Sequence, residues 1–364
     1  MGQGSLVLTE KMAEAAVLGG AVLGGGGGGS MKDGLETARL AVRLGDIVLR
    51  DIDSLNDSDI LLTVSAVGAP AAKERYVRPA GFIRAVEIFR QRFGLLPGGL
   101  ITNECGGNAT INGWLQSAAL GLPLVDAPCN GRAHPTGVMG SMGLNQIKDY
   151  VSQQTAVGGN PKTGKYVETA VSGSLEMAAG MVRTASVQAG GMVAVARNPV
   201  PVSYASRNAA PGAVRQSIEL GEVMMAALER GQVASEAAAN YLEGRIALIG
   251  QVTHLALETK GGFDVGLVVL EGPQGRAEMT FWNEYMTLEM DGQRLATFPD
   301  LISTLDHSTG VPLSTADMRK GLEIAVLVAP KEKLILGSGM RDQSLFAVAE
   351  QAVEKSLIPY VFKG

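Results

Sequence analysis

The sequence predicts an α/β protein, with an N-terminal layered domain around a largely parallel sheet and a smaller β-rich domain after it. Three observations carry this. Short apolar runs alternate with amphipathic stretches up to about residue 244, as βαβ units do. After Arg245 the runs read as strands separated by glycine-bearing turns. A last helical stretch follows residue 340. The expected division is 1–244, 245–340 and 341–364, the last piece a helix and a strand packing back on the first domain.

Thr9 is a fitting N-cap for a helix reaching Leu23, with alanine, methionine, valine and leucine on one face. That helix stops in six glycines at 24–29, and a second helix is expected near Asp33. A loop therefore feeds a helix N-terminus, whose free N–H groups attract anions and carbonyl oxygens. A nucleotide loop of the Walker type needs lysine and then serine or threonine after its last glycine, whereas Ser30 and Met31 follow here, so the reading is a close packing turn. Strands are expected over 46–49 and 60–67, and a helix over 79–93. Strand 99–103, helix 109–120 and strand 122–126 form a βαβ unit, which implies parallel pairing. A helix over 172–189, a strand over 192–196, a loop over 200–211 and helices over 212–229 and 234–243 complete the first domain. Strands over 246–259, 263–270, 276–285, 288–290, 322–328 and 333–336 build the second. A helix over 344–356 and the segment 358–362 close the chain.

Composition excludes several functions. Lys and Arg number 31 against 36 Asp and Glu, a net charge of -5, and no basic cluster is dense enough to track a phosphate backbone, so nucleic acid is not an expected partner. Two cysteines in 364 residues build no disulfide framework and fit a reducing cytoplasm. The stretch 13–29 has no basic leader and too much glycine for a membrane helix, which predicts a soluble, unprocessed, cytoplasmic protein. Few charges and 48 glycines point to a homo-oligomer.

In a parallel α/β sheet, ligands bind beyond the carboxyl ends of the strands. The strand ending near Asn103 delivers Glu104, Cys105, Gly106, Gly107 and Asn108, and the next delivers Asp126, Cys129, Asn130, Arg132 and His134. Neighbouring parallel strands bring both cysteines to one edge. Lys73 and Glu74 lie beyond another strand end and are expected at the same cleft. Three chemistries fit. A thiolate, its pKa lowered by a helix N-terminus or by Arg132 and His134, attacks carbon while Glu104 or Asp126 moves protons. Alternatively Cys105, Cys129 and His134 hold Zn²⁺ with one position open for water. The third uses Cys105 and Cys129 as the paired acid and base of a racemase. Against these stands the ordinary fate of a cysteine, an inert buried residue. His254 and His307 read as strand and turn residues, and the stretch at 281–285 (Phe, Trp, Asn, Glu, Tyr) reads as core before substrate contact.

These residues resemble those of the S-methyl thiohydantoin desulfurase family. The similar stretches are LGGAVLGGGGGG near the N-terminus, GAPAAKE after the second strand, NECGGN at 103–108 and GLPLVDAPCNGRAHP at 121–135, with FDVG, FWNEY and FPDLI in the second half. The resemblance implies an α/β domain joined to a β-rich domain, and an enzyme that replaces the methylthio group of a hydantoin-like ring with water, releasing methanethiol. Relatives occur beside hydantoinase and oxoprolinase subunits. Glu104, Gly106, Gly107, Asn108, Asp126, Gly131, Arg132 and Pro135 fall on the family's usual pattern. Where many members carry DADGMGRAFPE, Pro128, Cys129, Asn130, His134 and Thr136 stand here instead, bringing a thiol and an imidazole.

The expected function is hydrolysis of a five-membered cyclic amide, imide or thioimidate. Water, or a cysteine thiolate first, attacks the ring carbon between the nitrogens. Arg132 and the backbone donors of Gly106 and Gly107 stabilise negative charge, and Glu104 or Asp126 moves the proton. Cys129 and His134 are nucleophile and base, or zinc ligands with Cys105. Asn108, Asn130, Lys73 and Glu74 join the glycines in binding substrate. The alternatives are a two-cysteine racemase or isomerase of a related ring, and a non-catalytic accessory subunit of a hydantoinase-type complex.

Overall fold

The structure, a computed structural model, describes residues 4–362. Its first sheet contains β1 (Leu6–Val7), β2 (Val48–Arg50), β3 (Ile60–Gly68), β4 (Gly99–Thr102), β5 (Leu124–Val125), β6 (Ser152–Gly158), β7 (Val167–Gly173) and β8 (Met192–Pro201), in the order β1-β2-β5-β4-β3-β8-β6-β7. The block β2-β5-β4-β3 is parallel, and the outer strands join antiparallel. Side chains alternate faces along each strand. Leu62, Val64 and Leu100 therefore face the helix Pro79–Phe93, while Leu61 and Ile101 pack on the opposite side.

The helices of this half are α1 (Glu10–Leu23), α2 (Met31–Leu44), α3 (Pro79–Phe93), α4 (Trp114–Leu120), α5 (Leu175–Gln188), α6 (Val202–Asn208), α7 (Ala213–Glu229) and α8 (Ala234–Tyr241). Thr9 caps α1 by accepting from the Met12 N–H at 3.3 Å, and Ser30 caps α2 by accepting from Asp33 at 3.3 Å, each a contribution of about 1 kcal/mol. Pro79 at the first turn and left-handed Gly94 after the last define α3.

The second sheet is antiparallel throughout: β9 (Arg245–Lys260), β10 (Phe263–Gly272), β11 (Gly275–Trp282), β12 (Glu284–Met290), β13 (Gln293–Thr297), β14 (Leu301–Asp306), β15 (Pro312–Leu313) and β16 (Glu323–Ala329), ordered β13-β12-β11-β10-β9-β16-β14-β15. Leu301, Leu305 and Leu327 of this sheet pack on α1, α7 and α8, which thus form an apolar layer between the two halves. The last helices, α9 (Phe346–Val353) and α10 (Ile358–Val361), pack on Trp282, Met286 and Phe298, and Met139 of the first half joins that cluster.

Several elements differ from expectation. The loop over 200–211 contains α6, because β8 runs on to Pro201 and the chain turns directly into helix. The helix over 109–120 divides at left-handed Gly113 into a short 3-10 turn and α4. The strand over 276–285 breaks at Asn283 (φ 57°), which separates β11 from β12. The stretch 333–336 is no strand: the Ile335 carbonyl accepts from Gly131 N–H, docking the segment on a loop. The segment 358–362 holds helix α10, with proline in its first turn. The hairpin β6–β7 and strands β13, β14 and β15 are additions.

Candidate active site

A cavity of about 70 Å³ opens beyond the ends of β3, β4 and β5. Its walls combine Ser65 of β3, Asn103, Glu104 and Asn108 after β4, His134 after β5, Arg183 of α5, Arg197 of β8 and Glu284 of β12. Residues 28–30, at the amino end of α2, form one side. The glycine run is explained by contact: a Cβ on Gly28 would lie 2.5 Å from the Cα of Gly106, and one on Gly106 would lie 2.3 Å from the Cα of Gly28. Two main chains meet where no side chain fits, and the Gly28 carbonyl accepts from Asn108 and Ala109.

Glu104, His134 and Asn103 form one network. The Glu104 carboxyl accepts from the His134 backbone N–H at 3.2 Å and from Asn103 Nδ2 at 3.4 Å. His134 Nδ1 lies 3.0 Å from the Thr136 carbonyl, which only accepts, so the ring proton sits on Nδ1. Nε2 is then an acceptor, and Asn103 Nδ2 lies 3.0 Å from it. Nε2 also lies 3.2 Å from Glu104 Oε2, two acceptors that need a proton between them. Burial pushes the His134 pKa down to about 3 and the Glu104 pKa up to about 7, so that proton belongs to Glu104. A carboxyl titrating near neutrality is matched to moving protons at physiological pH.

Glu284 brings a second carboxyl from the other sheet. Burial raises its pKa well above the carboxylate range, and Glu104 adds to the rise. Gly27 lies against it, where a Cβ would overlap Oε1. Arg183 is held by the carbonyls of Gly68 (3.3 Å), Gly262 (2.8 Å) and Pro135 (3.3 Å), and stacks 4.0 Å from the Phe263 ring. Burial lowers the pKa values of Arg183, to about 10, and of Arg197. Four buried polar atoms of the cavity residues have no protein partner: Ser65 Oγ, Asn103 Oδ1, Arg197 Nε and Glu284 Oε2.

The expected residues divide. Glu104, Asn108 and His134 line the cavity, although His134 is a neutral, fully engaged imidazole rather than a base. Cys105 turns away, donating to the Ala213 carbonyl at 3.4 Å inside an apolar cluster, and burial pushes its pKa up to about 12. Cys129 packs with Leu61, Ile101 and Val125, contacts Thr63 Oγ1 at 3.3 Å, and is pushed up to about 11. Neither thiol lines the cavity, which removes the thiolate nucleophile and the paired-thiol racemase. The proposed zinc set does not fit either: both thiols and both imidazole nitrogens are engaged elsewhere, and among the described residues no three His, Cys, Asp or Glu are grouped to hold a metal.

Asp126 accepts from Val214 N–H (2.8 Å) and Arg215 N–H (3.1 Å), capping α7 away from the cavity, with a pKa raised to about 6 by burial. Arg132 is fully buried, donates to the carbonyls of Ala133, Pro299 and Asp300, and stacks over Phe298, so it fastens the loop to the second sheet. Asn130 bridges the Arg132 carbonyl and Gly337 N–H. The Gly106 N–H is taken by Thr110 Oγ1, and Gly106 and Gly107 lie against Gly28 and Gly29 rather than on the cavity. Lys73 and Glu74 are exposed, Glu74 pairing with Lys165 at 2.6 Å, for the chain turns outward after Pro70. Sequence reasoning missed Arg183 and Arg197, and ranked Glu284 as core. The signal for Arg197 is a charged residue ending an apolar run, 192–196, that reads as a buried strand.

Two family descriptions match the chain: "S-Me-THD-like, N-terminal domain" over residues 11–163, and "S-Me-THD-like, C-terminal domain" over residues 174–339. The cavity draws on both, Glu104 and His134 from the first stretch and Arg183, Arg197 and Glu284 from the second. A crystal structure of a protein from Chromobacterium violaceum shares the fold with a TM-score of 0.73 at 23% identity, covering 95% of this chain and 97% of that one. No curated protein matches. Among the described residues, no helix is long and apolar enough to cross a membrane.

Proposed function

The chain belongs to the S-Me-THD-like family, and we propose that it hydrolyses a hydantoin-like five-membered ring, water replacing the methylthio group of an S-methyl thiohydantoin. The observation that carries this reading is the set of unpartnered buried atoms in the cavity, Ser65 Oγ, Asn103 Oδ1, Arg197 Nε and Glu284 Oε2. Buried polar groups are ordinarily paired, and this mixture of donors and acceptors complements a small ring bearing N–H, C=O and imine nitrogen.

In the proposed reaction the Glu104 carboxylate takes a proton from water as the water oxygen bonds to the ring carbon that carries sulfur. Glu284, kept protonated by burial, donates its proton to the ring nitrogen and recovers one from the new hydroxyl as the C–S bond breaks. Glu104 passes its proton to the departing sulfur. The oxygen ends as the ring carbonyl, and the two water protons end on nitrogen and on methanethiol. Arg183, fixed beforehand by three carbonyls, favours the negative charge that Glu284 takes on when it gives up its proton.

The test is thiol release from S-methyl thiohydantoin by the purified protein, followed with a chromogenic disulfide, with mass spectrometry of the ring product. Stoichiometric methanethiol and hydantoin support the reading. No release by the chain alone, with turnover appearing only on adding a hydantoinase-type subunit, supports the accessory-subunit reading instead. The base form of Glu104 is required, so kcat/KM is expected to rise with pH and level off above about 7.

A further inference from the structure

We propose that Asn283 binds the substrate, its side-chain amide donating a hydrogen bond from Nδ2 to a ring carbonyl oxygen; the inference rests on the ring-hydrolase reading and narrows its substrates to rings that carry a carbonyl. Asn283 lines the cavity beside Glu284 and is 7% exposed. Its backbone is left-handed (φ 57°), a conformation that asparagine tolerates better than most residues. Its N–H donates to the Asp264 carbonyl at 2.7 Å, and its Oδ1 accepts from the Asp264 N–H at 2.9 Å. The side chain thus stands in for a ladder carbonyl, and the main-chain carbonyl of Asn283 accepts instead from Thr315 Oγ1 at 2.8 Å.

Those bonds fix which way the amide faces. The Asp264 N–H can only donate, so the atom opposite it is the oxygen, and Nδ2 is the other end. Asp264 is itself held, for its buried carboxyl accepts from Ala71 N–H at 2.8 Å and from Thr259 Oγ1 at 2.7 Å. Nδ2 has no protein partner among the described residues, and unlike the four sealed atoms of the cavity it remains accessible. The fold accounts for Oδ1 and for the left-handed turn, and aspartate would supply both. It does not account for an amide donor. A donor held in place before its ligand arrives loses little freedom on binding. Of the acceptors on an S-methyl thiohydantoin, the ring nitrogen takes the Glu284 proton in the proposed reaction, which leaves the carbonyl oxygen for the neighbouring Nδ2.

The experiment measures methanethiol release from S-methyl thiohydantoin and from 2-methylthio-2-imidazoline, the same ring without its carbonyl, in wild type and in Asn283→Gly. Glycine keeps the left-handed turn and removes the donor. The ratio of the two kcat/KM values is expected to fall about 10- to 100-fold in the variant, the scale of a hydrogen bond left unmade in a buried site. A purely structural residue lowers both values together, so an unchanged ratio overturns the inference. Should Asn283→Gly fail to fold, Asn283→Asp keeps the bond to Asp264 and puts an acceptor where the donor stood; it is expected to lower the ratio likewise, and a wild-type ratio refutes the assignment. Where wild type releases methanethiol from one ring only or from neither, calorimetry with the neutral rings hydantoin and imidazolidin-2-one decides, and release from neither sinks ring hydrolysis separately. Hydantoin binding about 10-fold tighter, with that excess lost in the Asn283 variant, supports the donor role. Equal affinities, an excess that the variant retains, or no binding of hydantoin refute it.

Discussion

Glu104 and Cys105 are adjacent in the chain, yet the first faces the cavity and the second enters the apolar layer with Val22, Leu23 and Leu301. The next loop splits in the same way, His134 toward the cavity, Cys129 toward Leu61 and Ile101, and Asp126 onto the end of α7. On the core side the two thiols and Asp126 hold protein partners; on the cavity side Asn103, Arg197 and Glu284 each keep an atom without one. Unpaired groups cost stability. In the cavity such atoms converge from β3, the loop after β4, β8 and β12, whereas the thiols and Asp126 hold the loops in place.

The comparison breaks most directly at Glu104. Glu104→Gln is expected to slow methanethiol release by about 10²- to 10⁴-fold, the range of a lost acid–base group, with an unchanged circular dichroism spectrum. Activity within threefold of wild type would transfer the proton role elsewhere. Next in size, Gly28→Ala forces a Cβ to 2.5 Å from the Gly106 Cα at a backbone position with φ 74°. Denaturant unfolding is expected to show a loss of about 3 kcal/mol, overpacking and left-handed strain together.

The pH dependence of stability sharpens the contrast. Glu104 titrates at about 7 when folded against 4.5 as its ordinary value. The folded chain therefore holds the extra proton, and this contribution is complete below about 4.5 and lost as pH rises through about 7. Glu104→Gln should unfold at a higher temperature than wild type near pH 8, the gap closing near pH 4. A gap of the same size at both pH values contradicts the assignment. The smallest effects belong to the core side: Cys105→Ala and Cys129→Ala are each expected to cost about 1 kcal/mol and to change kcat less than about twofold. Both thiols, with pKa values raised to about 12 and 11, should resist alkylation in the folded protein near pH 8.

Elements with explicit punctuation were readable in the sequence. Thr9 starts α1, Pro79 and Gly94 bracket α3, and the β-branched run at 60–67 is β3. The hairpin β6–β7 was not, because Ser152, Gln154 and Thr155 are buried polar residues that break the apolar signal of a central strand. At the site, motif reading found the loops after β4 and β5 but not which way each side chain turns. The thiols drew attention through their rarity, while Glu104 shared their motif. Arg183 and Arg197 come from a helix and a strand distant in sequence, assembled only by the pairing of β8 with β3. Glu284 reads as core in a stretch with Phe281 and Tyr285, and two of those three are core.

Glu104 and His134 hang from one sheet and Glu284 from the other. A molecule seated among them acts as a rivet through both layers, so its grip and the cohesion of the two halves become a single quantity. Anything that loosens the seam, even far from the ring, will be felt as weaker affinity, and a well-fitting inhibitor will make the whole chain melt later and as one piece.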